Sequence, residues 1–242
     1  IGDKIMSLRF DGQTTYILPL TNKHGLSRFK PEKLLTEDSF SFCCTMQVEW
    51  DNIDSEKAGG VIAFNGMHTG IMVRHPSEDD YFIQADIWVE EDGIAKPKQV
   101  FYKVPLDKKD GWIDVVLSVD QKKKKIALRV DEGGNVGWIS HVIEYEGELV
   151  DYTNCLLWIG ACNALKSCPQ EHRWYFTGKL QKVGFFTHYL SPRHSADFFK
   201  NNLLEFNSTL VSHSDMKKTT PFKIFDKSGN GNHLVKYSNE WM

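Results

Sequence analysis

The stretch SFSFCCTMQVEW, residues 39–50, alternates apolar side chains with small or polar ones along its whole length. An alternation of period two is typical of a β-strand, because successive side chains of a strand point to opposite faces. The stretch therefore predicts a long strand with one face in a hydrophobic core. The side chains predicted on that face are Phe40, Phe42, Cys44, Met46, Val48 and Trp50.

The same alternation recurs further along the chain. It is clearest over residues 81–90, and shorter runs cover residues 99–104, 113–119 and 126–130. Turn-forming pairs such as Asp92-Gly93 and Asp110-Gly111 separate the runs. In the strand at residues 81–90 the predicted inner side chains are Tyr81, Ile83, Ala85, Ile87 and Val89.

Helical periodicity is confined to one short stretch. Residues 195–206 space their apolar side chains by three and four, and Ser191-Pro192 upstream is a typical helix entry. Many strands with turns between them favour an all-β fold. We predict a two-sheet antiparallel β-sandwich of the jelly-roll type with at most one short surface helix.

Composition excludes several classes of protein. The 242 residues carry 29 basic and 32 acidic side chains, a net charge of −3. Such a chain has no general electrostatic attraction to nucleic acid, and the basic run at residues 122–125 fits a solvated hairpin tip. No stretch approaches the roughly 20 apolar residues of a membrane span. We expect neither nucleic-acid binding nor membrane insertion.

The first linker-like stretch is polar and lysine-rich and covers residues 212–220. It predicts one jelly-roll domain at residues 1–211 and a C-terminal arm at residues 212–242. The chain begins with Ile1, and we expect it to be part of a larger protein.

Several segments, in order along residues 8–200, match the motifs of one family. They are LRFDGQTTYI at 8–17, SFSF at 39–42, WIDVVLSVD at 112–120 with IALRVD at 126–131, LWIG at 157–160, and GKLQKVGFF at 178–186 followed by YLS. The chain thus resembles laminin-G-like domains of the concanavalin A-like lectin and glucanase superfamily. The resemblance implies sugar or glycoconjugate binding more often than catalysis, in an extracellular or cell-surface protein.

Two segments depart from the family pattern. The expected tight turn reads Asp131-Glu132-Gly133, and FDKSGNGNH at 225–233 resembles a turn that usually precedes the L-x-F-D-G segment. Here that turn comes last. It either begins a truncated second repeat or folds back as a hairpin that completes the sandwich. We expect the second arrangement, because an isolated hairpin is only marginally stable.

A candidate sugar site lies on the outward face of the strand at residues 81–90. Sugar recognition needs a flat aromatic for the apolar ring face beside planar hydrogen-bonding groups for the hydroxyls. Trp88, with Gln84 and Asp86 on the same face, supplies that combination. The alternative is that Trp88 packs under a covering loop. The full predicted glycan-binding set is Arg74, Gln84, Asp86, Trp88, Phe101 and Lys103.

Paired carboxylates for glycoside cleavage are less well supported. Asp86 and Glu90 stand about 13 Å apart on one strand, whereas glycosidase pairs need about 5 to 9.5 Å. Glu49 and Asp51 are about 6.6 Å apart by the same rise and resemble part of the E-x-D-x-x-E motif of concanavalin A-like glucanases. The third acidic position of that motif is not matched in this sequence. We therefore interpret Asp51 and its neighbours as turn residues or, alternatively, as calcium ligands.

Calcium is the one cofactor that the sequence suggests. Asp226, Asn230 and Asn232 form an oxygen-rich turn, and oxygen atoms are the ligands that calcium prefers. The alternative is that these side chains form the turn's own hydrogen bonds. Cys162 and Cys168 either close a small disulfide loop or stay reduced.

Three functions stay open. The leading one is a non-catalytic glycan-binding module; the second is a glycan-cleaving enzyme on the same fold; the third is a protein-interaction or spacer module without a sugar site.

Overall fold

The computed structural model describes residues 7–13, 15–19, 34–35, 37–56, 58–64, 69–133, 137–150, 157–162, 174–200, 209–219, 223–228, 230 and 232–238. These residues form strands and one α-helix. In chain order they are β1 (Leu8–Asp11), β2 (Thr15–Pro19), β3 (Ser39–Val48), β4 (Ala58–Phe64), β5 (Gly70–Ser77), β6 (Asp80–Glu91), β7 (Ile94–Lys103), β8 (Ile113–Asp120), β9 (Lys125–Asp131), β10 (Ile139–Glu144), β11 (Glu148–Leu149), β12 (Leu157–Ile159), β13 (Ala161–Cys162), β14 (Trp174–Tyr175), β15 (Thr177–Phe186), α1 (Pro192–Phe199), β16 (Leu210–Thr219), β17 (Lys223–Asp226) and β18 (Leu234–Ser238).

The strands form two antiparallel-rich sheets packed as a sandwich, so the predicted all-β jelly-roll class is confirmed. One sheet runs β10-β9-β8-β3-β15. The other edge of β15 pairs with two strands, β1 at residues 177–180 and β16 at residues 182–186. The other sheet runs β7-β6-β5-β4-β12-β2-β18-β17. Since β16 also pairs with β17, the sheets join at one edge.

The core between the sheets contains the inner side chains that the alternation predicts. Phe42 on β3 is fully buried, and its ring lies 5.9 Å from Phe64 and 5.7 Å from Phe185. The predicted inner side chains of β6 are in the same cluster. Burial of this apolar surface is the main favourable contribution to folding.

Helix α1 covers the outer face of the first sheet. Ser191 Oγ accepts a hydrogen bond from His194 N at 3.2 Å and Pro192 is the first helical residue, so the predicted helix entry is confirmed. The described helix ends at Phe199, and residues 201–206 of the predicted stretch lie outside the described residues. Phe198 is fully buried and packs edge-to-face against Phe186 at 5.2 Å.

Because this outer face is covered, strand β3 is buried on both sides. Ser41, on the face opposite Phe42, donates a hydrogen bond to the carbonyl oxygen of His188 at 2.6 Å and contacts Ser118 Oγ at 2.8 Å. The outer face of the second sheet has no helix over it among the described residues, and this face carries the candidate site.

The C-terminal strands pair with both sheets. Strand β16 pairs with β15, and β18 pairs with β2 from Leu234↔Pro19 to Ser238↔Thr15. Ile224 and Leu234 are fully buried in the core. The predicted boundary between residues 211 and 212 lies inside β16, and the division into a domain and an arm stays a prediction.

Among the described residues, no helix has the length and apolar character needed to cross a membrane.

Candidate functional site

The candidate site lies on the outer face of the second sheet, around β6. Alternation along this strand places Gln84, Asp86 and Trp88 on the outer face, because Ile83, Ala85 and Ile87 belong to the core. Antiparallel pairing sets Met72 of β5 and Phe101 of β7 on either side of Gln84. The outer face is therefore built from side chains of several strands in register.

A cavity of about 190 Å³ opens on this face. Trp88 and Trp174 are its two tryptophans, and both are partly exposed. The lining residues are Glu56, Ala58, Met72, Arg74, Gln84, Asp86, Trp88, Pro97, Gln99 and Trp174.

Trp174 reaches the cavity because the β13–β14 hairpin packs closely on β4. Gly60 of β4 lies under this hairpin, and a Cβ atom at Gly60 would stand 2.7 Å from the carbonyl carbon of Ala161. The absence of a side chain at Gly60 allows this close approach. Cys162 pairs with Trp174, so the hairpin backbone fixes where the second tryptophan stands.

The polar part of the cavity is a hydrogen-bonded group of three side chains. Gln84 Nε2 lies 2.7 Å from both carboxylate oxygens of Asp86, and Gln99 Nε2 donates to Asp86 Oδ2 at 3.2 Å. Gln84 and Asp86 are each only 3% exposed. Burial raises the pKa of Asp86 to about 6, although both amides and the charge of Arg74 oppose the shift.

Two charged side chains complete the cavity. Arg74 is half-buried and Glu56 is exposed, and neither has an ion-pair partner within 4.0 Å in the described part of the chain. The cavity thus offers hydrogen-bond donors and acceptors beside two indole rings. Such a combination suits a small polar ligand that also has an apolar face.

The structure divides the predicted glycan-binding set into two groups. Arg74, Gln84, Asp86 and Trp88 come together in the cavity. Phe101 and Lys103 lie outside it: the Phe101 ring packs edge-to-face against Phe82 at 6.2 Å, and Lys103 Nζ forms an ion pair with Asp80 at 2.6 Å. Whether any of these side chains binds a ligand stays a prediction.

The sequence analysis missed six lining residues, and for one of them, Gln99, the sequence contained a signal that predicts its position. Gln99 precedes Phe101 by two positions in an alternating strand, which places both on the outer face. Trp174 belongs to no alternating run, so no local pattern indicated it. The six are Glu56, Ala58, Met72, Pro97, Gln99 and Trp174.

Of the carboxylates that the sequence analysis considered for catalysis, Asp86 lines this cavity and Glu49, Asp51 and Glu90 do not. Glu90 is exposed on the part of β6 that pairs with β11, beyond the cavity lining. Glu49 and Asp51 line a separate cavity of about 290 Å³. Residues Trp50–Asn52 form a single 3-10 turn, and Asp54 Oδ1 accepts a hydrogen bond from Glu56 N, as expected for turn residues.

The predicted calcium turn is held by its own hydrogen bonds. Asp226 Oδ1 accepts from His213 N and Ser228 N, and Oδ2 accepts from Ser228 Oγ and Asn232 N, all at 2.8–3.0 Å. Burial opposes the charge of Asp226, but these donors together hold its pKa below the ordinary value.

The two asparagines of this turn direct their amide nitrogens inward. Asn230 and Asn232 donate to carbonyl oxygens of residues 210–211 at 2.7–3.1 Å. Because N–H donors occupy both Asp226 oxygens, the arrangement does not fit a cation unless they are displaced. No cluster of three His, Cys, Asp or Glu side chains suited to a metal occurs among the described residues. The calcium site stays a prediction.

The predicted cysteine pair is only half described. Cys162 is fully buried in β13, whereas Cys168 lies outside the described residues. A disulfide between them stays a prediction.

No protein-family model and no curated protein sequence matches this chain significantly. Solved structures do resemble it. A candidate carbohydrate-binding protein from Bacteroides ovatus ATCC 8483 superposes over 98% of this chain and 59% of its own, with a TM-score of 0.57 and 13% identity.

Two further structures resemble the chain to a similar degree. One is a heptameric SAP-like pentraxin from Limulus polyphemus, with a TM-score of 0.53 and 9% identity over 98% of this chain and 97% of that one. The other is the enzymatically active domain of tailspike protein 2 from bacteriophage CBA120, with a TM-score of 0.51 and 9% identity over 91% of this chain and 35% of that one.

At these identities the likeness is one of fold alone. The chain spans about 59% of the length of the Bacteroides protein.

Proposed function

We propose that this protein is a non-catalytic glycan-binding module and that the glycan enters the cavity beside Trp88. One observation carries the proposal: two tryptophans and a hydrogen-bonded polar group line the same cavity. The tryptophans are Trp88 and Trp174, and the polar group is Gln84, Asp86 and Gln99. A sugar ring has an apolar C–H face for an indole ring and hydroxyls for carboxylate and amide groups.

The size of the cavity favours a small ligand. At about 190 Å³ it is smaller than the roughly 300–1,000 Å³ typical of sites for drug-sized ligands. It therefore suits one sugar ring better than a larger cofactor. The likeness in fold to a candidate carbohydrate-binding protein is in keeping with this proposal.

The wider setting of the module is part of the proposal. We place it in a laminin-G-like branch of the superfamily, within a larger protein that is extracellular or at the cell surface. The resemblance of residues 8–200 supports this setting. The proposal includes a calcium dependence of glycan binding, which the binding experiment measures.

A glycan-cleaving enzyme is the second candidate. Asp86 and Glu56 both line the cavity, and the raised pKa of Asp86 resembles that of a general acid. This candidate predicts hydrolysis of a bound oligosaccharide that is lost in Asp86→Asn. A spacer module, the third candidate, predicts no glycan binding at all.

A glycan array tests the proposal, run with and without EDTA on the wild-type protein and Trp88→Ala. The matched control is Trp138→Ala, because Trp138 is also partly buried but packs on Phe199 at the other sheet. We expect binding by the wild type and the control and none by Trp88→Ala, with all three folded by circular dichroism. Absence of wild-type binding to every glycan would overturn the proposal in favour of the spacer module.

A further inference from the structure

The outer face beside the cavity carries an exposed aromatic surface. Phe82 on β6 and Phe101 on β7 pack edge-to-face, with ring centroids 6.2 Å apart. Phe101 is 39% exposed, although it is a large apolar side chain in a regular strand. We call this pair the aromatic ledge.

The aromatic ledge is continuous with the cavity through the strand register. Phe101 is the direct cross-strand partner of Gln84, and Phe82 is the direct partner of Arg74. Gln84 and Arg74 both line the cavity. Side chains of directly paired residues are neighbours on one face of a sheet, so no other residue of these strands separates ledge from cavity.

The length of this face exceeds what one sugar ring covers. Trp88 and Phe82 lie six residues apart on β6, which is about 20 Å at roughly 3.3 Å per residue. The cavity, in contrast, is about 190 Å³. A ligand longer than one ring therefore has to leave the cavity. The ledge offers it an exposed apolar surface next to the polar groups of Arg74 and Lys103.

We infer that the site binds a chain of sugars, with one ring in the cavity beside Trp88 and the following rings on the Phe82–Phe101 ledge. This inference rests on the proposed glycan-binding function and names its ligand class as an oligosaccharide. Trp88 is then required for ligands of every length. Phe101 is required only for ligands long enough to reach it.

Isothermal titration of the intact protein with sugars of increasing length tests the inference. The probes are the mono-, di- and trisaccharides of β-1,4-linked glucose, mannose, galactose and N-acetylglucosamine. In a series that binds, we expect the trisaccharide to bind about tenfold tighter than the monosaccharide, because it adds stacking contacts to the ledge.

Three variants separate the two parts of the site. Phe101→Ala is expected to weaken trisaccharide binding about fivefold and to leave monosaccharide binding unchanged. Trp88→Ala is expected to weaken both. Phe225→Ala is the matched control, because Phe225 is a similarly exposed phenylalanine on β17, and it is expected to change neither.

Equal affinity for all lengths, or an equal effect of Phe101→Ala on all of them, would overturn the inference while leaving the proposed function intact. Absence of binding to every probe, together with absence of binding on the glycan array, would contradict both. Wild-type unfolding temperatures in all variants exclude loss of fold as the cause.

Discussion

The side-chain amide nitrogen of Gln84 lies 2.7 Å from each of the two carboxylate oxygens of Asp86. A carboxylate only accepts hydrogen bonds, so it fixes the orientation of this amide and turns Gln84 Oε1 away. That oxygen is buried and has no hydrogen-bond partner in the part of the chain that the structure describes. The carboxylate therefore orients the amide and leaves its oxygen as an unused acceptor, which is a cost to stability.

The raised pKa of Asp86 predicts that its ionisation destabilises the fold. Since the folded pKa of about 6 lies above the ordinary 3.8, the penalty is absent below about pH 4 and complete above about pH 6. We expect Asp86→Asn to raise the free energy of unfolding at pH 7.5 by about 1–3 kcal/mol relative to the wild type, and much less at pH 4. Urea unfolding at both pH values measures this, and an equal difference at both would contradict it.

Asp114 provides a matched control for that experiment. Burial also raises its pKa to about 6, but it lies on the other sheet and accepts a hydrogen bond from Thr45 Oγ1. Asp114→Asn is expected to show a similar pH dependence of stability. Only Asp86→Asn is expected to change glycan affinity as well.

Gly60 is predicted to position the second tryptophan of the cavity. A Cβ atom there would meet the backbone of residues 161–162 at 2.7–2.9 Å, so Gly60→Ala has to displace the β13–β14 hairpin. We expect a loss of stability of about 1–3 kcal/mol and weaker glycan binding. Chemical unfolding and calorimetric titration measure the two effects.

Gly93→Ala is the control for this substitution. A Cβ atom at Gly93 meets nothing within 4 Å, and its φ of +75° predicts a destabilisation of about 1 kcal/mol. Glycan affinity should stay unchanged in this variant. If Gly60→Ala also left affinity unchanged, the hairpin would not position the site.

Removal of residues 218–242 is predicted to abolish most of the thermal stability. Among the described residues it deletes β17 and β18, which pair with β16 and β2 and bury Ile224 and Leu234 in the core. Leu234→Ala alone is expected to reduce the free energy of unfolding by about 2–5 kcal/mol. Phe225→Ala, at a side chain 44% exposed, should change it much less. Calorimetry measures these effects, and an unchanged melting curve after truncation would refute the role of this segment in the sandwich.

The turn at Asp226 is predicted to stabilise the protein without calcium. Asp226→Ala removes the acceptor of several backbone N–H groups and is expected to destabilise the fold by about 3 kcal/mol at pH 7. Because the folded pKa is lowered, this stabilisation is present above the ordinary pKa and declines as the pH falls through the folded value.

Thermal melts of the wild type in EDTA and in calcium chloride complete this test. We expect the two melting temperatures to agree, because N–H donors occupy the Asp226 oxygens. A calcium-dependent rise in the wild type that is absent in Asp226→Ala would instead place the ion at this turn.

The sequence by itself determined the strands β3 and β6 to β9, the inner faces of β3 and β6, and the start of the helix. Alternation is a local property of extended backbone, so residues 39–50 and 81–90 displayed their core-facing side chains directly. Ser191-Pro192 likewise carries its helix-capping chemistry within a few residues. For the same reason Gln84, Asp86 and Trp88 could be placed on one face before any tertiary contact was known.

Only the tertiary structure decided which side chains meet in the cavity and which of them are buried. Alternation assigned Gln84 and Asp86 to the outward face, yet both are 3% exposed. Their environment also depends on strand register and on the hairpin that brings Trp174 to the cavity from almost ninety positions further along the chain. Contacts between segments so distant in sequence are set by how the two layers and their covering loops pack, and no local periodicity encodes that packing.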